Sequence, residues 1–126
     1  KPFEQRTAFD WLSANQANVD RYMADPLCAF TFTAAAFRDL FTGLSEVSRK
    51  GWAANVPNRP ILVIAGDKDP VGSMGKGPTE VAGRLLNSGH DVIFKLYPGT
   101  RHEILNETGK EKVWQDVLDF LNAQIG

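Results

Sequence analysis

The chain has 126 residues, 43% hydrophobic and 23% charged, the proportions of one ordinary globular domain. Its 14 Lys and Arg against 15 Asp and Glu give a formal net charge of -1, so no basic field is present to hold a nucleic-acid backbone or an anionic membrane. The longest purely apolar run, Ile61 to Ala65, falls far short of the ~20 residues that cross a bilayer, which argues against a transmembrane segment. The single cysteine, Cys28, has no internal partner for a disulfide, and no Cys/His cluster has metal-ligand spacing, so a reducing, cytoplasmic setting is expected. The first residue is Lys1 rather than Met, which suggests part of a longer product.

In chain order, Phe9 to Met23 reads as one or two short helices, ended at Asp25-Pro26 because a residue before proline is driven from the helical region. Phe37, Leu40, Phe41, Leu44 and Val47 then recur at the spacing that lines one face of a helix over residues 34–49. Thr33 is the expected N-cap and Gly51 the expected stop. Composition shifts across Ala53 to Pro60, dividing a helical segment, 1–52, from an alternating segment, 53–126. Ile61 to Ala65 is an unbroken aliphatic run, as in a strand buried on both faces of a parallel sheet. A helix follows, with Pro78 in its first turn, an apolar stripe of Val81, Ala82, Leu85 and Leu86, and Gly89 as its stop. Val92 to Tyr97 is the second strand. A last helix is expected to start at a Thr108–Glu111 capping box and to bury Val113, Val117, Phe120 and Leu121.

Strand, crossover helix and strand within about 40 residues make a right-handed βαβ unit of the α/β class, whose ligands sit beyond the carboxyl ends of the strands. Two loops lie at that edge: Gly66 to Gly72 with Asp67 and Asp69, and Pro98 to Glu103 with His102. Strands about 4.8 Å apart let an acid on one loop reach a histidine on the next. A carboxylate on one imidazole nitrogen leaves the other free to act as a base. Geometry alone leaves the ordinary reading open, in which the Asp forms a turn and the His is structural. His90 precedes the second strand and is held ~20 Å away at the amino edge, a bystander.

The stretches P-I-L-V-I-A-G-D-K-D-P-V-G at 60–72 and L-Y-P-G-T-R-H-E-I-L-N-E at 96–107 resemble the carboxyl-terminal part of an α/β-hydrolase of the monoacylglycerol lipase/lysophospholipase-like branch. The resemblance implies that Asp69 is the catalytic acid and His102 the base of a serine esterase, with Asp67 capping the turn. It implies that 53–126 carries the last two strands of the core and that 1–52 is a helical cap or lid. No cofactor is required, and a monoacylglycerol or lysophospholipid is the implied substrate. Phe30, Phe32, Phe37 and Phe41 read as cap-helix core. The alternative is that Phe30 and Phe32 line an acyl-chain pocket.

A nucleophile is missing from the pattern. The fold's serine sits on a G-x-S-x-G elbow before the acid, and none of Ser13, Ser45, Ser48, Ser73 and Ser88 is flanked that way. Ser73 comes closest, but Val71 stands where the first glycine is needed. Gly75-Lys76-Gly77 lacks the first glycine and the Ser or Thr of a phosphate-binding loop. These residues alone are therefore expected to be inactive, and to pair with the rest of the enzyme or a second copy of the chain. An Asp nucleophile, as in dehalogenases and epoxide hydrolases, and a non-catalytic binding protein on the same fold are the alternatives.

Overall fold

A computed structural model describes residues 3–28 and 30–125, so Ala29 and the outermost residues of the 1–52 and 53–126 segments lie outside the description. Among the described residues, four α-helices and two strands run in the order α1 (Gln16–Ala24), α2 (Ala34–Val47), β1 (Ile61–Gly66), α3 (Lys76–Asn87), β2 (Val92–Tyr97) and α4 (Lys110–Ile125). Short 3-10 turns, Trp52–Asn55 and Ile104–Asn106, precede β1 and α4.

β1 and β2 pair in parallel with no slip, from Ile61 opposite Val92 to Gly66 opposite Tyr97. Both strands therefore end at the same level. The loops after them, 67–75 and 98–103, emerge side by side at the carboxyl edge, while His90 sits at the amino edge as expected. There it is buried, and its Nε2 lies 2.8 Å from the Ala53 carbonyl, tying the first 3-10 turn to the end of α3. Gly89 ends α3 as expected: its N–H donates to the Leu86 carbonyl at 3.0 Å and the His90 N–H to Leu85 at 3.2 Å, the paired bonds that close a helix end.

A small core joins the sheet to α4, with Tyr97, Ile104 and Val113 buried together and Ile64 packed against them. Above it the Tyr97 hydroxyl donates to Asp116 at 2.8 Å, and Lys95 pairs with the same carboxylate at 2.9 Å. Burial and the neighbouring Asp116 push the Tyr97 hydroxyl pKa up to about 12. Hydrogen bonds from Lys95 and Tyr97 hold Asp116 below the ordinary carboxylate range.

Several local expectations change. β1 is not buried on both faces among the described residues: Ile61 to Ala65 are half-buried and only Gly66 is fully buried. The cause is that β1 pairs with β2 alone, and a cavity of about 790 Å³ opens beside Val63, Ile64, Trp52 and Val81. Of the α3 stripe, Ala82 and Leu85 are buried, whereas Val81 and Leu86 are exposed on the side without cover. In α4 only Val113 is fully buried, and Leu121 faces out. The Thr108–Glu111 capping box does not form. Gly109 precedes the helix at φ 81°, a left-handed conformation that a capping Thr in extended geometry does not take, and α4 starts one residue later at Lys110.

α2 forms where expected, with the Thr33 hydroxyl accepting from the Ala36 N–H at 3.1 Å, yet it buries no residue. It stops at Val47, and Gly51 opens the next 3-10 turn instead of ending the helix. Asp25 closes α1 ahead of Pro26 as expected, and Phe9 belongs to a turn rather than a first helix.

Candidate active site

The acid-bearing loop begins where β1 runs against the second loop. Gly66 is the contact point: a Cβ there would lie 2.3 Å from both the Thr100 and Arg101 carbonyl oxygens, closer than any side chain tolerates. Backbone bonds seal the approach, from Lys68 N–H to Thr100 at 2.9 Å and from Asp67 N–H to Tyr97 at 3.1 Å. The Asp67 carboxylate accepts the Gly99 N–H at 2.7 Å, so Asp67 laces the two loops together instead of facing the imidazole.

Asp69 lies one turn further on and is 7% exposed. Its Oδ1 accepts the Val71 N–H at 2.8 Å, and its main-chain carbonyl accepts from Met74 at 2.8 Å. This side-chain turn is followed by Ser73 and Met74 at φ 52° and 55°, a left-handed pair that folds the loop back before α3. Strain of this kind is carried where surrounding contacts over-determine the backbone. With Oδ1 committed to its own loop, Oδ2 points outward and lies 3.0 Å from His102 Nδ1.

A carboxylate only accepts hydrogen bonds, so the proton between them belongs to Nδ1 and leaves Nε2 as the imidazole's acceptor. Nε2 has no hydrogen-bond partner among the described residues, and the imidazole is 40% exposed. The pair thus has a buried, fixed acid and an accessible base nitrogen, the arrangement that accepts a proton from a nucleophile.

Two further groups touch this site that sequence reasoning did not single out. The Trp11 ring lies 5.2 Å from the imidazole at an interplanar angle of 55°. Glu107, 2% exposed, gathers donors from both the loop and the amino-terminal segment. The partners of Glu107 lie up to 94 positions away, so no local pattern announces it.

The remaining candidates lie elsewhere. Phe30 and Phe32 stack with Phe37 and Phe41 in a continuous row, with ring centroids 5.4 to 6.1 Å apart. All four are exposed, so in these residues the row is not helix core, and none of the four lines the cavity beside Val63 and Val81. Ser13 is 1% exposed and donates to Glu107 at 2.8 Å, which leaves its hydroxyl engaged. Cys28 is half-buried, and burial together with the Asp25 and Glu103 charges pushes its thiol up, away from the reactive thiolate. Among the described residues there is no cluster of His, Cys, Asp and Glu able to hold a metal ion, and no helix is long and apolar enough to cross a membrane.

Known proteins place this chain in a family. A sequence model of the family described as serine aminopeptidase, S33, matches residues 1–109. A monoacylglycerol lipase of Mycolicibacterium smegmatis is 32% identical over 120 residues, covering 92% of this chain and 40% of that protein. The crystal structure of a thermostable carboxyl esterase from Bacillus coagulans, in complex with glycerol, superposes with a TM-score of 0.88 at 34% identity, over 96% of this chain and 40% of that one. A lipase solved in its open form gives a TM-score of 0.76 at 29% identity, covering 87% of this chain and 36% of that one. The chain thus spans about two-fifths of the length of these relatives. With its paired strands, its two apposed loops and these matches, the chain belongs to the serine aminopeptidase S33 family of α/β-hydrolases.

Proposed function

We propose that this chain supplies the acid and base of a carboxylic ester hydrolase, Asp69 and His102, and that the nucleophile and the oxyanion-hole donors come from chain outside these residues. The observation that carries the reading is the 3.0 Å contact between Asp69 Oδ2 and His102 Nδ1, at the carboxyl edge of a parallel sheet. In this reading 53–126 is the carboxyl-terminal part of the core and 1–52 the cap segment. The substrate class, an ester or lipid, follows from the names of the lipase and esterase relatives.

His102 Nε2 takes the proton of a serine hydroxyl as its oxygen attacks the ester carbonyl. Asp69 holds the imidazole in the required tautomer and stabilises the imidazolium that forms. The imidazolium then returns the proton to the departing alcohol as the carbon–oxygen bond breaks, leaving an acyl-enzyme. Water enters, His102 takes its proton as the oxygen attacks the acyl carbon, and the imidazolium gives that proton to the departing serine oxygen, releasing the acid and the free serine. The exposed row of Phe30, Phe32, Phe37 and Phe41 offers an apolar surface for the acyl chain.

The test is hydrolysis of a short-chain 4-nitrophenyl ester by the complete protein, with mass-spectrometric location of a fluorophosphonate adduct. Asp69→Asn is expected to lower kcat by about 10⁴-fold, because it reverses the hydrogen bond that sets the tautomer. The adduct is expected on a serine outside residues 1–126. Residues 1–126 alone are expected to show no turnover. An unchanged rate in Asp69→Asn would overturn the assignment, an aspartyl intermediate would move the protein to the other hydrolases, and activity without any covalent intermediate would remove the serine mechanism.

A further inference from the structure

Glu107 is the most deeply buried acid among the described residues, yet the mechanism makes no direct use of it. Its Oε1 accepts the Arg101 N–H at 2.8 Å and the Ala14 N–H at 2.9 Å. Its Oε2 accepts the Ser13 hydroxyl at 2.8 Å and the Asn15 N–H at 3.2 Å. A carboxylate has about four lone-pair sites, so these four donors fill it. Three come from the turn before α1 and the fourth from the residue directly preceding His102.

The other side of His102 is held by the same segment. The Glu103 N–H donates to the Leu12 carbonyl at 2.7 Å, and the Arg101 guanidinium donates to the Asp10 and Ser13 carbonyls. The residues on both sides of the base are therefore tied to residues 10–15, Glu103 by its N–H and Arg101 by its guanidinium and through Glu107. That stretch also carries Trp11, whose ring lies against the imidazole. Glu107 joins the two strips at their centre. Without its charge, the Arg101 N–H and the turn amides lose one shared acceptor at a residue that is only 2% exposed.

We infer that Glu107 is a positioning residue for His102: its buried carboxylate locks the 10–15 turn to the histidine loop, and so sets the imidazole between Asp69 and Trp11. The inference rests on the reading of His102 as the base. It assigns Glu107 no contact with substrate. In a Glu107→Gln side chain one oxygen becomes an amide nitrogen, a donor facing donors, so at least one of the four bonds is lost although the shape is kept. Glu107→Asp keeps both oxygens and the charge on a shorter arm.

The test uses the complete protein at a temperature where circular dichroism shows each variant folded. Glu107→Gln is expected to lower kcat by about 100-fold with KM changed by less than about threefold, the signature of a displaced catalytic group rather than lost binding. Glu107→Asp is expected to recover at least about tenfold of that loss. The low-field proton resonance of His102 Nδ1–H is expected to broaden or vanish in Glu107→Gln. It should persist in Glu107→Asp and in Tyr97→Phe, which breaks a buried hydrogen bond on the far side of β2. Folded Glu107→Gln with wild-type kcat and an undisturbed resonance would overturn the inference. If that variant does not fold, Ser13→Ala, which removes one donor of the four, decides the matter. A kcat about threefold lower with a broadened resonance supports the inference, and wild-type values for both overturn it. His102→Ala in the same assay separates the two layers. Retained turnover there would sink the base assignment itself, whereas lost turnover beside a wild-type Glu107→Gln would sink only the positioning role.

Discussion

The loop edge that carries Asp69 and His102 and the helix α2 are built on opposite principles. At the loop edge nearly every polar group has its partner inside these residues: Asp67 with Gly99, Asp69 with Val71 and His102, Glu107 with four donors. α2 has a regular apolar face, properly capped by Thr33, and buries none of it. Both regions are well specified by sequence, but only one is completed by it. A helical period fixes which face is apolar and leaves open what will cover it. A hydrogen-bonded turn between two strand ends supplies its own partners.

The sharpest way to break that comparison is at Gly66. Gly66→Ala drives a Cβ into the Thr100 and Arg101 carbonyl groups, both main chain, and is expected to cost about 3 kcal/mol or more in urea unfolding while displacing the histidine loop. A cost within about 0.5 kcal/mol would mean that the loops are not held at this approach. Next comes a pair. Val113→Ala, in the core beside Tyr97 and Ile104, is expected to cost about 2 kcal/mol. Phe41→Ala on the open face of α2 is expected to change the stability of residues 1–126 by less than about 0.5 kcal/mol. Equal costs for the two would show that α2 is covered within residues 1–126 or by a second copy.

The smallest effect is a pH dependence. Tyr97 has its folded-state pKa raised from 10.0 to about 12, so the folded form holds the hydroxyl proton more tightly than the unfolded chain. Its contribution is full below about pH 10 and is lost as pH rises through about 12. Asp116 is shifted down, so its contribution is present above the ordinary aspartate range and is lost as pH falls through the lowered value. Thermal unfolding followed in alkaline buffer is expected to show Tm falling between about pH 10 and about 12, and Tyr97→Phe is expected to remove that fall. A fall of the same size in Tyr97→Phe would assign it to other groups.

Much of this was legible in the residues themselves. Val92 to Tyr97 stands out because an apolar run between turn residues has one extended reading, and β2 has those bounds. The neighbouring placement of Asp69 and His102 follows from two strands ending side by side, a consequence of parallel pairing without slip. Where local signals failed, either a longer-range contact or a neighbouring backbone conformation had prevailed. Glu107 looks like an ordinary loop acid until the 10–15 turn reaches it, and Thr108 gives up its capping role because Gly109 takes the left-handed position. The apolar stripes of α3 and α4 have the period their sequences predict, but a two-stranded sheet covers only part of each.

The central claim is that His102 is the base of an ester hydrolase. It is tested most directly by kcat/KM of the complete protein on a soluble ester, wild type against His102→Ala. The imidazole is 40% exposed, so removing it is expected to leave the unfolding temperature within a few degrees. kcat/KM is expected to fall about 10⁴-fold or more with the fold intact. A folded His102→Ala that hydrolyses the ester at the wild-type rate would contradict it.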